Sequence, residues 1–236
     1  MADDRIPHLA VALDTADWSE FSSWVDRFGP RAGVLKVGLE AYVRWGPPAV
    51  ERAAESGARI FLDLKLHDIP NTVAGAAAAA ADLGVSYLTV HASGGVPMLE
   101  AAVAAGRDRL GILAVTLLTH LDRAELERLA LPGEAPARVL EWARLARSAG
   151  CAGVVSSALE VGRLRSELPR PFTLVTPGIR LVEPGEGDDQ RRVASPETAL
   201  ADGADLLVVG RPLTRASSQD EVLERLSRAA GAATRP

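Results

Sequence analysis

Residues 61–72 read Phe-Leu-Asp-Leu-Lys-Leu-His-Asp-Ile-Pro-Asn-Thr, an apolar run that carries three charges and ends at a proline. Residues i and i+2 of a β-strand point to the same face, so Asp63 and Lys65 are predicted to lie side by side on a buried strand. Asp68 follows just before Pro70, where regular structure stops. Burying a charge is costly unless it is paired. The stretch therefore indicates either a functional site or an ion pair that only fixes the strand.

The overall composition is that of a soluble globular protein. The chain has 236 residues, of which 47% are hydrophobic and 24% charged. A net charge of −5 gives no basic surface for nucleic acid or an anionic membrane. The single cysteine, Cys151, excludes a disulfide framework within one chain. The polar start of the chain and the lack of a long apolar run lead us to expect a cytoplasmic protein.

Short apolar runs recur at steady intervals and predict eight β-strands. They are Leu9–Leu13, Val34–Val37, Ile60–Leu64, Tyr87–Val90, Leu110–Val115, Gly153–Val155, Phe172–Val175 and Leu206–Val209. Helical spacing of apolar residues is found between them. The predicted helices are Trp18–Phe28, Pro48–Glu55, Val73–Asp82, Met98–Ala105, Arg138–Ala149, Ala158–Glu167 and Glu197–Ala201. The polar residues 120–137 predict a long loop with a short helix.

Alternating strands and helices imply parallel βαβ units, and eight such units fit one (β/α)8 TIM barrel. A doubly wound open sheet is the alternative, but it usually has a Gly-rich fingerprint after its first strand. The sequence Leu13-Asp14-Thr15-Ala16 is not such a fingerprint. We therefore expect a single barrel domain over residues 1–236, with a core at about 9–215 and a C-terminal helix and tail beyond it.

The active site of such a barrel lies at the C-terminal ends of the strands. Polar residues are predicted at most of these ends: Asp14, Lys36, Asp63, Lys65, Asp68, His91, Thr119, Ser156, Arg180 and Arg211. Some have structural explanations, since Asp14 or Ser156 could cap a helix and His91 could be a satisfied histidine of the wall. Lys36 is harder to explain in this way, because it lies inside an apolar strand where a structural lysine is poorly placed.

Two late segments indicate a phosphate site. Arg180 begins a polar segment that contains Gly185 and Gly187, and Gly210-Arg211 follows the eighth strand. Backbone N–H groups after strands seven and eight, together with an arginine, are the usual phosphate cradle of a barrel. The polar segment predicts a loop that closes over the ligand. The alternative is an ordinary exposed loop.

Taken together, these motifs resemble the orotidine 5′-phosphate decarboxylase family over about residues 9 to 215. The string Asp63–Thr72 is highly specific, whereas a bare Asp-x-Lys-x-x-Asp also occurs in sister barrels. Other matching pieces are Leu13-Asp14, Lys36-Val37-Gly38, His91, Val115-Thr116 with Leu118-Thr119, Val175–Arg180, Asp189–Arg192 and Val209–Pro212.

The resemblance implies conversion of orotidine 5′-monophosphate to uridine 5′-monophosphate and carbon dioxide, with no metal or organic cofactor. It implies an obligate homodimer in which Lys36, Asp63 and Lys65 form a charged array with Asp68 of the partner subunit, and in which Lys65 protonates C6. It further implies substrate contacts that belong to the ribose, the pyrimidine and the phosphate. Those residues are Asp14, Lys36, Asp63, Thr72 (acting in the partner's site), Thr119, Arg180, Gln190, Gly210 and Arg211.

Two departures from the family pattern and three alternatives remain. His120 stands where many bacterial relatives have Ser, which puts a polar contact to the pyrimidine in doubt, and the register of Gln190 is less secure. Metal-using sisters such as hexulose-6-phosphate synthase carry an acidic residue in place of Lys36. A non-catalytic nucleotide-binding barrel would need only the phosphate cradle. A fusion with orotate phosphoribosyltransferase would need a longer chain.

Overall fold

The strands of the chain close into a barrel. The computed structural model describes residues 4–131, 133–181 and 194–233. Within them, parallel strands pair in chain order and the last strand pairs with the first. They are β1 (Ile6–Ala12), β2 (Ala32–Gly38), β3 (Arg59–Leu66), β4 (Tyr87–His91), β5 (Gly111–Val115), β6 (Gly153–Val155), β7 (Thr173–Thr176) and β8 (Leu206–Val209). The predicted (β/α)8 barrel is confirmed and the open sheet is excluded.

Helices follow the strands and cover the outside of the barrel. They are α1 (Trp18–Phe28), α2 (Leu39–Trp45), α3 (Pro47–Ala54), α4 (Pro70–Asp82), α5 (Gly95–Gly106), α6 (Arg123–Arg128), α7 (Ala135–Ser148), α8 (Val161–Glu167), α9 (Pro196–Ala201), α10 (Arg211–Thr214) and α11 (Gln219–Ala233). Across the three described ranges, none of the helices combines the length and hydropathy that crossing a lipid bilayer requires.

The start of α1 settles one of the alternatives for Asp14. The first N–H groups of a helix have no partner within the helix and need a cap. Asp17 is that cap, because its carboxylate accepts hydrogen bonds from the N–H groups of Ser19 and Glu20 at 2.7 and 3.0 Å. The explanation of Asp14 as the helix cap is therefore wrong, and the Asp14 carboxylate is available to interact with other side chains.

Side-chain alternation along the strands produces two apolar layers. The barrel interior is filled by a small cluster: Ala10, Val34, Phe61, Leu113, Val175 and Leu206. A larger layer packs between the strands and the helices, and it includes Leu35 and Val37. Because Val34 points inward and Leu35 outward, the next residue of β2, Lys36, points into the mouth of the barrel.

Strand β3 is irregular at its C-terminal end. Leu62 pairs with Leu88, but the next partners in the ladder are Leu66 and Val90, so residues 63–65 stand opposite a single residue of β4. Lys65 has a φ of 51°, in the left-handed region that side chains other than glycine rarely adopt. Asp63 and Lys65 do lie side by side, with their charged groups 2.8 Å apart, at a point where the β3–β4 ladder is interrupted as in a β-bulge.

The barrel interior provides a test of the fold. Leu113 is fully buried, so Leu113→Ala should lower the free energy of unfolding by about 2–5 kcal/mol through lost contacts and a cavity. Leu159 is 67% exposed, and Leu159→Ala should change it by less than about 0.5 kcal/mol. Urea unfolding measures both variants. Equal effects would contradict the assignment of Leu113 to the interior layer.

Candidate active site

Four charged side chains form a chain of alternating sign at the C-terminal ends of the first three strands. The Lys36 ammonium lies 3.3 Å from Asp14 Oδ1 and 3.5 Å from Asp63 Oδ2. The Lys65 ammonium lies 2.8 Å from the same Asp63 oxygen. We call Asp14, Lys36, Asp63 and Lys65 the charged array. Two carboxylates and two ammonium groups give it no net formal charge.

Burial and pairing act in opposite directions on the centre of the array. Burial alone would lower the pKa of Lys36, but the Asp14 and Asp63 carboxylates outweigh it and raise that pKa above its ordinary value. Burial alone would raise the pKa of Asp63, but Lys36, Lys65 and the Thr89 hydroxyl lower it below its ordinary value. Both groups are therefore charged at neutral pH, although their side chains are only 7% and 13% exposed.

The array forms part of the wall of a cavity of about 530 Å³, a volume typical of a small-molecule site. The same wall contains Thr119 and, after strands β7 and β8, the predicted phosphate cradle of Arg180, Gly210 and Arg211. Apolar side chains of the barrel interior complete it, among them Phe61, Val115, Val155 and Val208. Eight of the predicted site residues thus share one cavity: Asp14, Lys36, Asp63, Lys65, Thr119, Arg180, Gly210 and Arg211.

The other predicted site residues lie elsewhere. Asp68 and Thr72 are exposed and do not line the cavity of their own chain. Asp68 Oδ1 accepts a hydrogen bond from the Ile69 N–H at 2.6 Å. His120 is exposed next to Thr119 and does not line the cavity either. Gln190, and with it the predicted closing loop around Gly185 and Gly187, lies outside the described residues.

Thr89 is a residue of this site that sequence reasoning missed. Its hydroxyl is within 2.9 Å of Asp63 Oδ1 and within 2.9 Å of the Lys65 backbone nitrogen. A threonine in a β-strand is ordinary, so its residue type alone gives no signal. The position of Thr89, two residues before His91 on β4, does give a signal, because Thr89 and His91 share one face of the strand.

His91 lies beside the array and is half-buried. Burial lowers its pKa, the nearby His67 and Lys65 lower it further, and Asp63 opposes the change. The two imidazole rings are tilted, with centroids 5.5 Å apart. His91 is therefore neutral at pH 7 and leaves the charge balance of the array unchanged.

The two carboxylates of the charged array, which could attract a metal ion, are already paired with an ammonium group. In the described part of the chain, no group of three or more His, Cys, Asp or Glu side chains is arranged to hold one. The oxygens of Asp14 and Asp63 instead flank Lys36 Nζ. The position between these carboxylates is taken by a cation that belongs to the chain itself.

A family model described as "Orotidine 5'-phosphate decarboxylase / HUMPS family" matches residues 7–226. The chain belongs to this family. It is 51% identical over 211 residues to the orotidine 5′-phosphate decarboxylase of Thermobifida fusca, which covers 88% of this chain and 89% of that protein. It is 48% identical over 217 residues to the enzyme of the same name from Moorella thermoacetica, with coverages of 88% and 86%.

A solved structure agrees with the family assignment. The crystal structure of orotidine 5′-phosphate decarboxylase from Lactobacillus acidophilus matches with a TM-score of 0.81 at 33% identity, over 94% of this chain and 98% of that one. The resemblance inferred from the sequence motifs is confirmed at the level of family and fold. The roles of individual residues remain predictions.

The distribution of lysine in the sequence also marks the site. Lys36 and Lys65 are the only lysines in the sequence, although Lys and Arg together number 26. Arginine is the basic residue everywhere else. A lysine offers a compact ammonium that can lose a proton, whereas an arginine stays charged. The restriction of lysine to the array marks these positions as chemically different from the other cations.

Gly38 provides a test of how closely the array is packed. A Cβ at this position would collide with Asp14 Oδ1 and lie 3.0 Å from Lys36 Nζ. Gly38→Ala should therefore displace the Asp14–Lys36 pair and lower kcat/KM by at least about 10-fold. Gly231→Ala is the control, because a Cβ there meets nothing within 4 Å. Steady-state kinetics of both variants is the measurement, and native activity in Gly38→Ala would refute the close packing.

Proposed function

We propose that this chain is an orotidine 5′-phosphate decarboxylase that converts orotidine 5′-monophosphate to uridine 5′-monophosphate and carbon dioxide in pyrimidine biosynthesis. One observation carries the proposal: a paired ammonium, Lys65, lines the same cavity as Arg180 and Arg211, the two arginines of the predicted phosphate cradle. A nucleotide monophosphate needs both features, a phosphate anchor and a polar group at its base. The family match and the names of the relatives support the same activity.

The chemical step is a proton-for-carboxylate exchange at C6 of the pyrimidine. The bond between C6 and the carboxylate carbon breaks, carbon dioxide departs, and the electron pair stays on C6. The Lys65 ammonium stabilises this developing negative charge and then donates its proton to C6. The neutral amine that remains takes up a proton from solvent. Asp63, 2.8 Å away, is the ion-pair partner of Lys65 before the reaction.

Asp63 has a second role in the proposal, which is to destabilise the substrate carboxylate. Two carboxylates about 4 Å apart in a medium with an effective dielectric constant of about 20 repel each other by about 4 kcal/mol. Departure of neutral carbon dioxide relieves part of this repulsion. Asp63 is mostly buried and charged, as the role requires.

The remaining contacts orient the nucleotide. Asp14 and Lys36 bind the ribose hydroxyls, and Thr119 lies against the pyrimidine. Arg180, Gln190, Gly210 and Arg211 bind the phosphate, which is remote from the reacting carbon. Binding energy gained at the phosphate is used to assemble the charged site around C6. No metal or organic cofactor takes part.

We further propose a cytoplasmic homodimer in which Asp68 and Thr72 complete the partner's site. Both residues are exposed in the single chain and absent from its own cavity. Ile69, between them, is an apolar side chain that is 66% exposed, and in this proposal the partner subunit covers it. In the dimer, Asp68 adds a carboxylate next to Lys65 of the neighbouring subunit.

The decisive assay follows the loss of orotidine 5′-monophosphate by the purified protein with and without a chelator. We expect turnover that the chelator does not change. Turnover abolished by the chelator would instead favour a metal-using sister enzyme. Tight binding of uridine 5′-monophosphate without turnover would favour a non-catalytic nucleotide-binding barrel.

Replacement of the proton donor should remove activity. Lys65→Ala deletes both the donor and the cation, so kcat should fall by more than about 1,000-fold while the dimer persists in size-exclusion chromatography. Arg59→Ala is a matched control, because it removes a cation from the opposite end of the same strand. Near-native turnover by Lys65→Ala would refute the assignment of the proton donor.

Mixing two inactive variants tests the shared site. When Lys65→Ala and Asp68→Ala chains exchange subunits, each heterodimer should contain one intact site and one doubly altered site. Activity should therefore return in part, towards about a quarter of the native level for a statistical mixture with independent sites. No recovery, despite exchange proven by native mass spectrometry, would show that Asp68 does not act across the interface.

A further inference from the structure

We propose that Thr89 is a positioning residue that holds Asp63 and the bulged backbone of Lys65 in the geometry that decarboxylation needs. This inference rests on the proposed function and extends it to a residue outside the cavity wall. Thr89 is fully buried in the centre of β4. It acts through Asp63 and Lys65 and does not touch the substrate.

The hydrogen bonds of Thr89 leave its hydroxyl only one orientation. The Lys65 backbone N–H can only donate, so Thr89 Oγ1 accepts from it, at 2.9 Å. The ionised Asp63 carboxylate can only accept, so the hydroxyl hydrogen points to Asp63 Oδ1, at 2.9 Å. One hydroxyl therefore links the carboxylate to the backbone of the neighbouring cation.

The hydrogen bond from the Lys65 backbone N–H to Thr89 replaces a backbone contact that the bulge removes from the sheet. Residues 63–65 face Thr89 alone, so regular pairing between β3 and β4 is interrupted there. Lys65 keeps its left-handed conformation, with φ of 51°, while its N–H is bound by the Thr89 side chain. Strained conformations persist where the surroundings fix them, and they are frequent at functional sites. The hydroxyl is one of the groups that fix this one.

The carboxylate bond sets the rotation of Asp63. Its Oδ2 atom faces both ammonium groups, Lys65 at 2.8 Å and Lys36 at 3.5 Å. Its Oδ1 atom is held by Thr89 from the side of β4. If that bond were lost, the carboxylate could turn, and Oδ2 would no longer be held between the two cations. The Lys65 side chain would then lose its alignment with C6, and misplacement of a reacting group by about 1 Å can cost on the order of 100-fold in rate.

The test compares two variants that delete the hydroxyl with one that retains it. Thr89→Val keeps the shape of the side chain, and Thr89→Ala provides the same chemical deletion if the valine variant does not fold. We expect kcat to fall by about 10- to 100-fold, with KM changed by less than about 3-fold. Thr89→Ser keeps the hydroxyl and should retain kcat within about 5-fold of native.

Thr116→Val is the matched control for loss of a buried hydroxyl. Thr116 is 2% exposed and donates to the Val155 carbonyl at 2.9 Å, away from the array. The kcat of Thr116→Val should stay within about 3-fold of native. Thermal unfolding of both valine variants then shows whether Thr116→Val and Thr89→Val lose similar stability.

The outcomes separate the two proposals. If the unsubstituted protein has no decarboxylase activity, the proposed function is contradicted and this inference loses its basis. If the unsubstituted protein is active, two results contradict only the role of Thr89. The first is native kcat in the variants that lack the hydroxyl. The second is a loss of kcat in Thr89→Ser as large as the loss in those variants. A fall in kcat that matches that of Thr116→Val would show a general effect of core disruption, and it would also refute the positioning role.

Discussion

The site depends on one electrostatic constraint, which is that Asp63 and Lys36 are charged although they are buried. Neither charge would be tolerated alone at this depth, since an unpaired buried ion costs several kcal/mol. Lys36 on β2 is stabilised by Asp14, just after β1, and by Asp63 on β3, while Asp63 is stabilised by Lys36 and by Lys65 of its own strand. The parallel pairing of β1, β2 and β3, which brings these strand ends together, is therefore also what makes the array stable. Removal of any one member leaves the other three with a net charge.

The sequence was most informative where one pattern had one structural meaning. All seven helices predicted with bounds and all eight strands have counterparts, because alternation and 3–4 spacing record burial directly. Helix α2 was missed, since Gly46 with its positive φ separates it from α3 and leaves a short, partly exposed segment. The predicted helix 158–167 is likewise divided, with a 3-10 turn before α8.

The candidate site was predictable by residue type but not by geometry. Charges in apolar strands gave Lys36 and Asp63, and strand ends gave Arg180 and Arg211. The bulge at residues 63–65 could not be predicted, because its backbone conformation is set by pairing with β4 and leaves no pattern in the local sequence. Thr89 was missed for the same reason: its importance lies in what faces it. The cap at Asp17 shows the converse, since a local rule excluded Asp14 as soon as the start of the helix was known.

The presence of only two lysines has a practical consequence. Apart from the amino terminus, every primary amine of this sequence belongs to the charged array. The two differ in access, since the Lys36 side chain is 7% exposed and that of Lys65 is 30% exposed. An amine-selective reagent should therefore reach Lys65 first, and a protein labelled with isotopic lysine gives two side-chain signals, both from the same cavity. The side chains of Lys36 and Lys65 can therefore serve as spectroscopic probes of the site at which the chemistry is proposed.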